Sequence, residues 1–250
     1  MVDSQTSSMT WRTSPADISL SESAVDVWLI SLAQPSDVDG SFADVLSSAE
    51  RERAARFKFD KHRRLYVNAH AALRSILSSY LKTARADLQF VNGINGKPSL
   101  AAEFAASGLQ FNLSHSHEMA LLGVTRRHEI GVDIERIKED YGFDEVAERF
   151  FTAKEVSELR ALPVHLQRQA FFKCWTSKEA FLKAKGTGLS GKLDEVEITL
   201  SDEQRVKIHA SVPGWTLMEL NPDGNYEAAL VVEGDSLPVN CYRWDPAPAR

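Results

Sequence analysis

The stretch Glu129-Ile130-Gly131-Val132-Asp133-Ile134-Glu135 alternates apolar and non-apolar residues with a period of two. Side chains alternate across a strand, so this pattern predicts a strand over about 130–134. Ile130, Val132 and Ile134 then face a core, and Gly131, Asp133 and Glu135 share the opposite face. Two carboxylates two residues apart on one face repel each other unless a cation or base lies between them. An oxygen-only donor set suits a hard ion such as Mg²⁺, which typically takes one or two protein carboxylates together with phosphate and water. The plainer reading is an edge strand with a solvated outer face.

Working outward, Phe171 to Lys185 reads as part of a helix over about 166–185, stopped by Gly186 and Gly188. Phe171, Cys174, Trp175, Phe181 and Leu182 form its apolar arc at about 100° per residue. Glu179 and Lys183 lie one turn apart just outside that arc, either as a surface ion pair or as a rim where carboxylate, ammonium and phosphate meet. Lys178 falls inside the arc and needs an anionic partner or a route outward. On the N-terminal side, Phe111–Ser114 and Ala120–Val124 predict a hairpin. His115 and His117 would share a strand face, but Glu118-Met119 follow where a metallo-hydrolase would place further ligands. One imidazole donating to a phosphate, or an ordinary structural histidine, fits better than zinc.

The remaining pattern predicts a strand over Val25–Leu32, helices over about 42–58 and Tyr66–Tyr80, and a turn-rich connector at Asn92-Gly93 and Asn95-Gly96 that ends in Lys97-Pro98. After the 130–134 strand come helices at about 144–150 and Ala153–Ala161. The second starts at an N-cap Thr152, with Glu155 at the capping-box position. Strands near Val196–Leu200, Val206–Ala210, Thr216–Leu220 and Tyr226–Val232 are expected to complete a sheet. The favoured architecture is α+β with two similar lobes: a loose arm over 1–24, an N-terminal lobe over 25–128, a C-terminal lobe over 129–235 and a tail over 236–250.

The chain has 250 residues, 43% hydrophobic and 26% charged, an ordinary balance for a globular protein that excludes collagen, coiled coil and a mainly disordered chain. No run approaches the roughly 20 apolar residues of a membrane span. A net charge of −6 argues against general nucleic-acid binding. Cys174 and Cys241 form neither a CxxC nor a disulfide framework, and the polar start lacks a secretory signal, so the expectation is a cytoplasmic protein. Arg51, Arg53, Arg56, Lys58, Lys61, Arg63 and Arg64 crowd one segment, as a solvated helix face or as a pocket for a polyanionic small molecule.

In this order and spacing, the segments resemble the 4′-phosphopantetheinyl transferases of the larger, single-chain, surfactin-synthetase-activating class. The resemblance covers about residues 45–200. It rests on Gly96-Lys97-Pro98, Phe111-Asn112-Leu113-Ser114-His115-Ser116, Gly131-Val132-Asp133-Ile134-Glu135, Arg149-Phe150-Phe151, and Trp175-Thr176-Ser177-Lys178-Glu179-Ala180-Phe181-Leu182-Lys183 followed by Gly186-Thr187-Gly188-Leu189-Ser190. It implies two pseudo-twofold lobes with coenzyme A in the cleft between them, and hence a working monomer. Asp133, Glu135 and Glu179 would hold Mg²⁺. Lys183 and His115 would meet the pyrophosphate, Lys97, Pro98 and Ser114 would line the coenzyme A site, and Arg53 would approach the 3′-phosphate. Glu50 stands where the family often has a second basic residue, and Arg51, Arg63 or Arg64 would have to compensate.

The implied reaction is attack of a serine hydroxyl of an apo acyl or peptidyl carrier protein on the β-phosphorus of coenzyme A, releasing adenosine 3′,5′-bisphosphate. Lys183 would neutralise the leaving phosphate, with His115 and Lys178 adding donors. Glu179, directly or through a metal-bound water, is the expected base, with Glu155 as second candidate. Two other classes stay open on the residues alone: a phosphodiesterase or pyrophosphatase using water, and a non-catalytic module that binds coenzyme A or a carrier protein.

Overall fold

The computed structural model describes residues 10–15, 17–33, 45–93, 95–188, 193, 196–202, 206–210, 212–235 and 237–245. It is an α+β fold built from two sheets, each with a 22-residue helix on its outer face. The first half supplies β1 (Arg12–Thr13), β2 (Val25–Ser31), α1 (Ser48–Ala55), α2 (Asp60–Leu81), the ribbon β3 (Phe90–Asn92) and β4 (Pro98–Leu100), and the hairpin β5 (Leu109–Ser116) and β6 (Met119–Arg126). The second half supplies β7 (Ile130–Arg136), α3 (Asp144–Phe150), α4 (Ala153–Ala161), α5 (Val164–Lys185), β8 (Ile198–Asp202), β9 (Val206–Ala210), β10 (Trp215–Asp223), β11 (Tyr226–Glu233) and β12 (Val239–Trp244).

The five-stranded sheet runs β1-β12-β2-β6-β5, and the three-stranded sheet runs β10-β11-β7. Strand β2 is buried on both faces, which accounts for its nearly unbroken apolar sequence. Trp28 and Ile30 pack with Leu73, Ile76 and Leu77 of α2, while Val25, Val27 and Leu29 pack against Ile130, Val132 and Ile134 of β7. The three inward residues of the deciding stretch therefore bind the two sheets to each other. On the far face of the smaller sheet, Ala229 and Val231 meet Phe171, Ala180, Phe181 and Ala184 of α5.

Three placements differ from the sequence reading. Residues 239–244, expected in a tail, form β12 inside the five-stranded sheet, parallel to both β1 and β2. The described part of the expected loose arm is also engaged, since Arg12 and Thr13 pair with β12 and Leu20 joins the core under α2. The four late strands do not complete one sheet either: β8 and β9 form a separate ribbon, while β10 and β11 extend β7. Residues 42–44, Leu189 and Ser190 lie outside the described residues.

Helix α5 crosses β7 where β7 has no side chain. A Cβ on Gly131 would lie 2.0 Å from the Ala180 carbonyl oxygen and 2.3 Å from the Ala184 nitrogen. Both are backbone atoms, so no rotamer change could make room. Gly131→Ala should force the helix off the strand at a cost of about 3 kcal/mol or more. Thermal unfolding should then show a melting temperature lower by roughly 10 °C; an unchanged midpoint would show that this contact is not as close as described.

Candidate active site

The site lies where the edges of the two sheets converge. Even-numbered residues of β5 face β7 and bind it with side chains in place of a backbone ladder. Asn112 Oδ1 accepts from the Val132 N–H at 2.8 Å, and Ser116 Oγ accepts from the Arg136 N–H at 3.2 Å. Between them Ser114 Oγ donates to Asp133 Oδ1 at 2.8 Å, and Ser116 Oγ donates to Glu135 Oε2 at 2.7 Å. Because Gly131 lets α5 lie close, Lys183 reaches the same group: its Nζ donates to Asp133 Oδ1 at 2.6 Å and to Ser114 Oγ at 2.9 Å. Ser114, Asp133, Glu135, Glu179 and Lys183, spread over more than sixty residues of chain, are brought to one seam.

The carboxylates hold charge at a cost. Burial raises the pKa of Glu179, and the charges of Asp133 and Glu135 add to that against the opposing pull of Lys183. Burial likewise raises Glu135, with Asp133 adding and Ser116 opposing. Two buried oxygens, Asp133 Oδ2 and Glu179 Oε1, have no hydrogen-bond partner among the described residues. An unsatisfied buried carboxylate oxygen is expensive, and two in one mutual field fit a site for a cation. The trio is not a finished cage. Among the described residues no group of three or more His, Cys, Asp or Glu is gathered closely enough to hold a metal ion, and Ser114, Ser116 and Lys183 occupy one oxygen each of Asp133 and Glu135.

His115, at an odd position of β5, faces away from Asp133 toward α2. The side chain is exposed, and partial desolvation with the charges of Lys183 and His70 lowers its pKa, which favours the neutral imidazole. Beside it the Tyr66 and His70 rings lie with centroids 4.1 Å apart and planes tilted by 34°, and the exposed Arg53 lies over the Tyr66 ring at 5.5 Å. Sequence reading missed Tyr66 and His70. Their spacing of four on α2 was the available signal. Lys97, expected to line the coenzyme A site, spans from the β3–β4 ribbon to Glu129 Oε2 (2.9 Å) and to the Ala184 carbonyl at the end of α5 (3.0 Å). Pro98 opens β4 next to it.

Two expected site residues are elsewhere. Lys178 is fully buried behind α5, where its ammonium contacts Glu155 Oε1 at 2.8 Å and donates to the carbonyls of Leu193 and Val196. It cannot also donate to a phosphate in the seam. Glu155, the second candidate base, is its partner and closes the Thr152 capping box; with no exposed surface it has no path to a substrate hydroxyl.

Comparison with known proteins follows the same outline. The family model for the N-terminal part of 4′-phosphopantetheinyl transferase matches residues 34–126, and that of the 4′-phosphopantetheinyl transferase superfamily matches residues 129–231. The chain is 40% identical over 237 residues to the 4′-phosphopantetheinyl transferase HetI of Nostoc sp., covering 95% of this chain and 96% of that protein. It belongs to the 4′-phosphopantetheinyl transferase family. The 4′-phosphopantetheinyl transferase Sfp of Bacillus subtilis is 32% identical over 67% of this chain and 72% of its own. The putative 4′-phosphopantetheinyl transferase slr0495 of Synechocystis sp. is 34% identical over 72% of this chain and 71% of its own. No helix among the described residues is long and apolar enough to cross a membrane.

Glu50 has a structural task in this chain. Burial would raise its pKa, but bonds from His70, the Ser47 N–H and Arg74 outweigh that and bring it from 4.5 down to about 2. The stabilisation is therefore complete above the unfolded value of about 4.5 and is lost as the pH falls through that value toward about 2. Urea unfolding of the wild type and Glu50→Gln should show a stability gap that is constant from pH 7 to 5 and narrows below pH 4. A gap independent of pH would contradict the assignment.

Proposed function

We propose that this transferase moves the 4′-phosphopantetheine arm of coenzyme A onto a serine hydroxyl of an apo acyl or peptidyl carrier protein. The reaction depends on Mg²⁺ and releases adenosine 3′,5′-bisphosphate. The observation that carries the metal-dependent reading is the pair of unpartnered buried oxygens, Asp133 Oδ2 and Glu179 Oε1, beside the Lys183 ammonium. Asp133, Glu135 and Glu179 would hold the ion, which when bound would offset the negative charge of the pyrophosphate. The first half of the chain with α2 and the second with α5 would act as two related lobes of a monomer, with coenzyme A in the cleft between them.

Phosphoryl transfer depends mostly on positioning and charge neutralisation, and the chain's residues divide that task. Lys183, aimed by Ser114, would neutralise and protonate the leaving phosphate oxygen. His115, neutral, would donate one N–H to the pyrophosphate from the opposite face of β5. Lys97 and Pro98 would border the nucleotide, and Arg53 on the exposed side of α1 would approach the 3′-phosphate with the Tyr66–His70 pair behind it. Glu179 would serve as the base for the serine hydroxyl.

Intact mass of an apo carrier protein, measured after incubation with the enzyme, coenzyme A and Mg²⁺, should rise by one phosphopantetheine arm. Chelator should abolish the gain, and Asp133→Ala should slow it at least about 100-fold. Normal turnover by Glu179→Gln at saturating Mg²⁺ would remove Glu179 from the role of base. Coenzyme A binding with no gain on several unrelated carriers would favour a non-catalytic binder, and acceptor-independent release of phosphopantetheine would favour a hydrolase.

A further inference from the structure

The arrangement around Lys178 has a bearing on catalysis although Lys178 is out of reach of the seam. An ammonium group has three protons to donate, and this one has three acceptors: Glu155 Oε1 at 2.8 Å, the Leu193 carbonyl at 2.7 Å and the Val196 carbonyl at 2.6 Å. Glu155 is equally committed. Its Oε2 accepts from the Thr152 N–H at 2.8 Å and its Oε1 from the Ile198 N–H at 2.7 Å. Neither side chain has any exposed surface. Through these bonds α5 is tied to the N-terminus of α4 and to the start of β8.

On its other side α5 rests on β7 at Gly131, backbone against strand. No side chain on Gly131 interlocks with the helix there to fix its rotation. Glu179 follows Lys178 on the helix, about 100° around and 1.5 Å along, and its buried Oε1 has no hydrogen-bond partner among the described residues. Its placement must come from the helix backbone. A rotation of α5 large enough to relax Lys178 would also swing Glu179 and Lys183 away from Asp133.

We propose that the Lys178–Glu155 pair is a positioning device for the transfer reaction. It fixes the rotation of α5 so that Glu179 and Lys183 meet Asp133 and Ser114, and Lys178 itself does not contact coenzyme A. Removing a single partner leaves an uncompensated buried charge, whereas neutralising both leaves no buried charge without its counterpart. The pair's contribution to activity is thus separable from any contact between Lys178 and substrate.

The test compares the full-length wild type with Lys178→Met, Glu155→Gln and the double variant, in carrier-modification kinetics well below each melting temperature. Lys178→Met should melt roughly 10 °C lower. Its kcat should fall about 100-fold, as for a small misplacement of catalytic groups, with the KM for coenzyme A within about threefold of wild type. In the double variant the side-chain amide that replaces the Glu155 carboxylate has one oxygen and accepts from only one of the Thr152 and Ile198 N–H groups, but no uncompensated buried charge remains, and kcat should recover at least about tenfold. A KM for coenzyme A raised about tenfold and not recovered in the double variant would mean that Lys178 touches substrate. A lower melting temperature with wild-type kcat would mean a purely structural pair. If Lys178→Met does not fold, the double variant decides alone, and its own failure to fold overturns the proposal. The inference rests on the transferase reading, for which wild-type transfer is the control. Should that control fail, hydrogen exchange of the 176–183 amides still tests the device, being faster in Lys178→Met and restored in the double variant if it holds.

Discussion

Everything in the site depends on a helix backbone lying against a strand backbone at Gly131. Had β7 carried a side chain there, α5 would stand off, and Lys183 would no longer span to Asp133 and Ser114. The approach also determines which residues can follow. With Ala180 and Ala184 over the glycine, the polar groups gather toward Asp133 and Glu135, and the apolar side chains of α5 turn to α3, α4 and the face of β11. The neighbouring strand β5 responds with Asn112, Ser114 and Ser116 along one face, because the open edge of β7 needs acceptors and its carboxylates need donors.

The molecule carries two kinds of buried charge, and their hydrogen bonding separates them. Lys178, Glu155 and Glu50 are bonded on every side and shielded from solvent to a large degree. Asp133 and Glu179 each retain a buried oxygen with no hydrogen-bond partner among the described residues, under electrostatic pressure from one another and from Glu135. Saturated charges serve architecture, since any additional partner would have to displace an existing bond. Unsaturated ones hold interaction energy in reserve for what arrives later. The same contrast distinguishes Lys178 from Lys183: five residues apart on one helix, one is closed on three sides by protein and the other remains a third exposed at the seam.

Much of this was legible in the sequence where the cause is local. The alternation over 130–134 placed three residues in the shared core and two carboxylates opposite, as found. The capping box at Thr152 and Glu155 formed as read, since its bonds span only three residues. Lys178 was recognisable as a cation inside an apolar arc that required an anion, but nothing local could say that the anion was Glu155 on the preceding helix. Its adjacency to Glu179 suggested a phosphate donor instead. The role of Glu50 was hidden in the same way, because His70 and Arg74 approach it from α2. Strand β12 was overlooked because short Pro-flanked segments read as tails, and its partner β2 lies more than two hundred residues earlier.

That last pairing has a consequence for how the protein is made. Strand β2 sits between β6 and β12, and β12 in turn carries β1, so the larger sheet is stitched from both extremes of the described chain. During vectorial synthesis the hairpin and α2 emerge with one flank of β2 still open, and it stays open until the whole second half has been translated. An open flank on a mostly apolar strand is a template for unwanted pairing. The newborn chain thus has a period of stickiness whose length is set by the rate of elongation, and folding of the first half is completed by residues more than two hundred positions further along the chain.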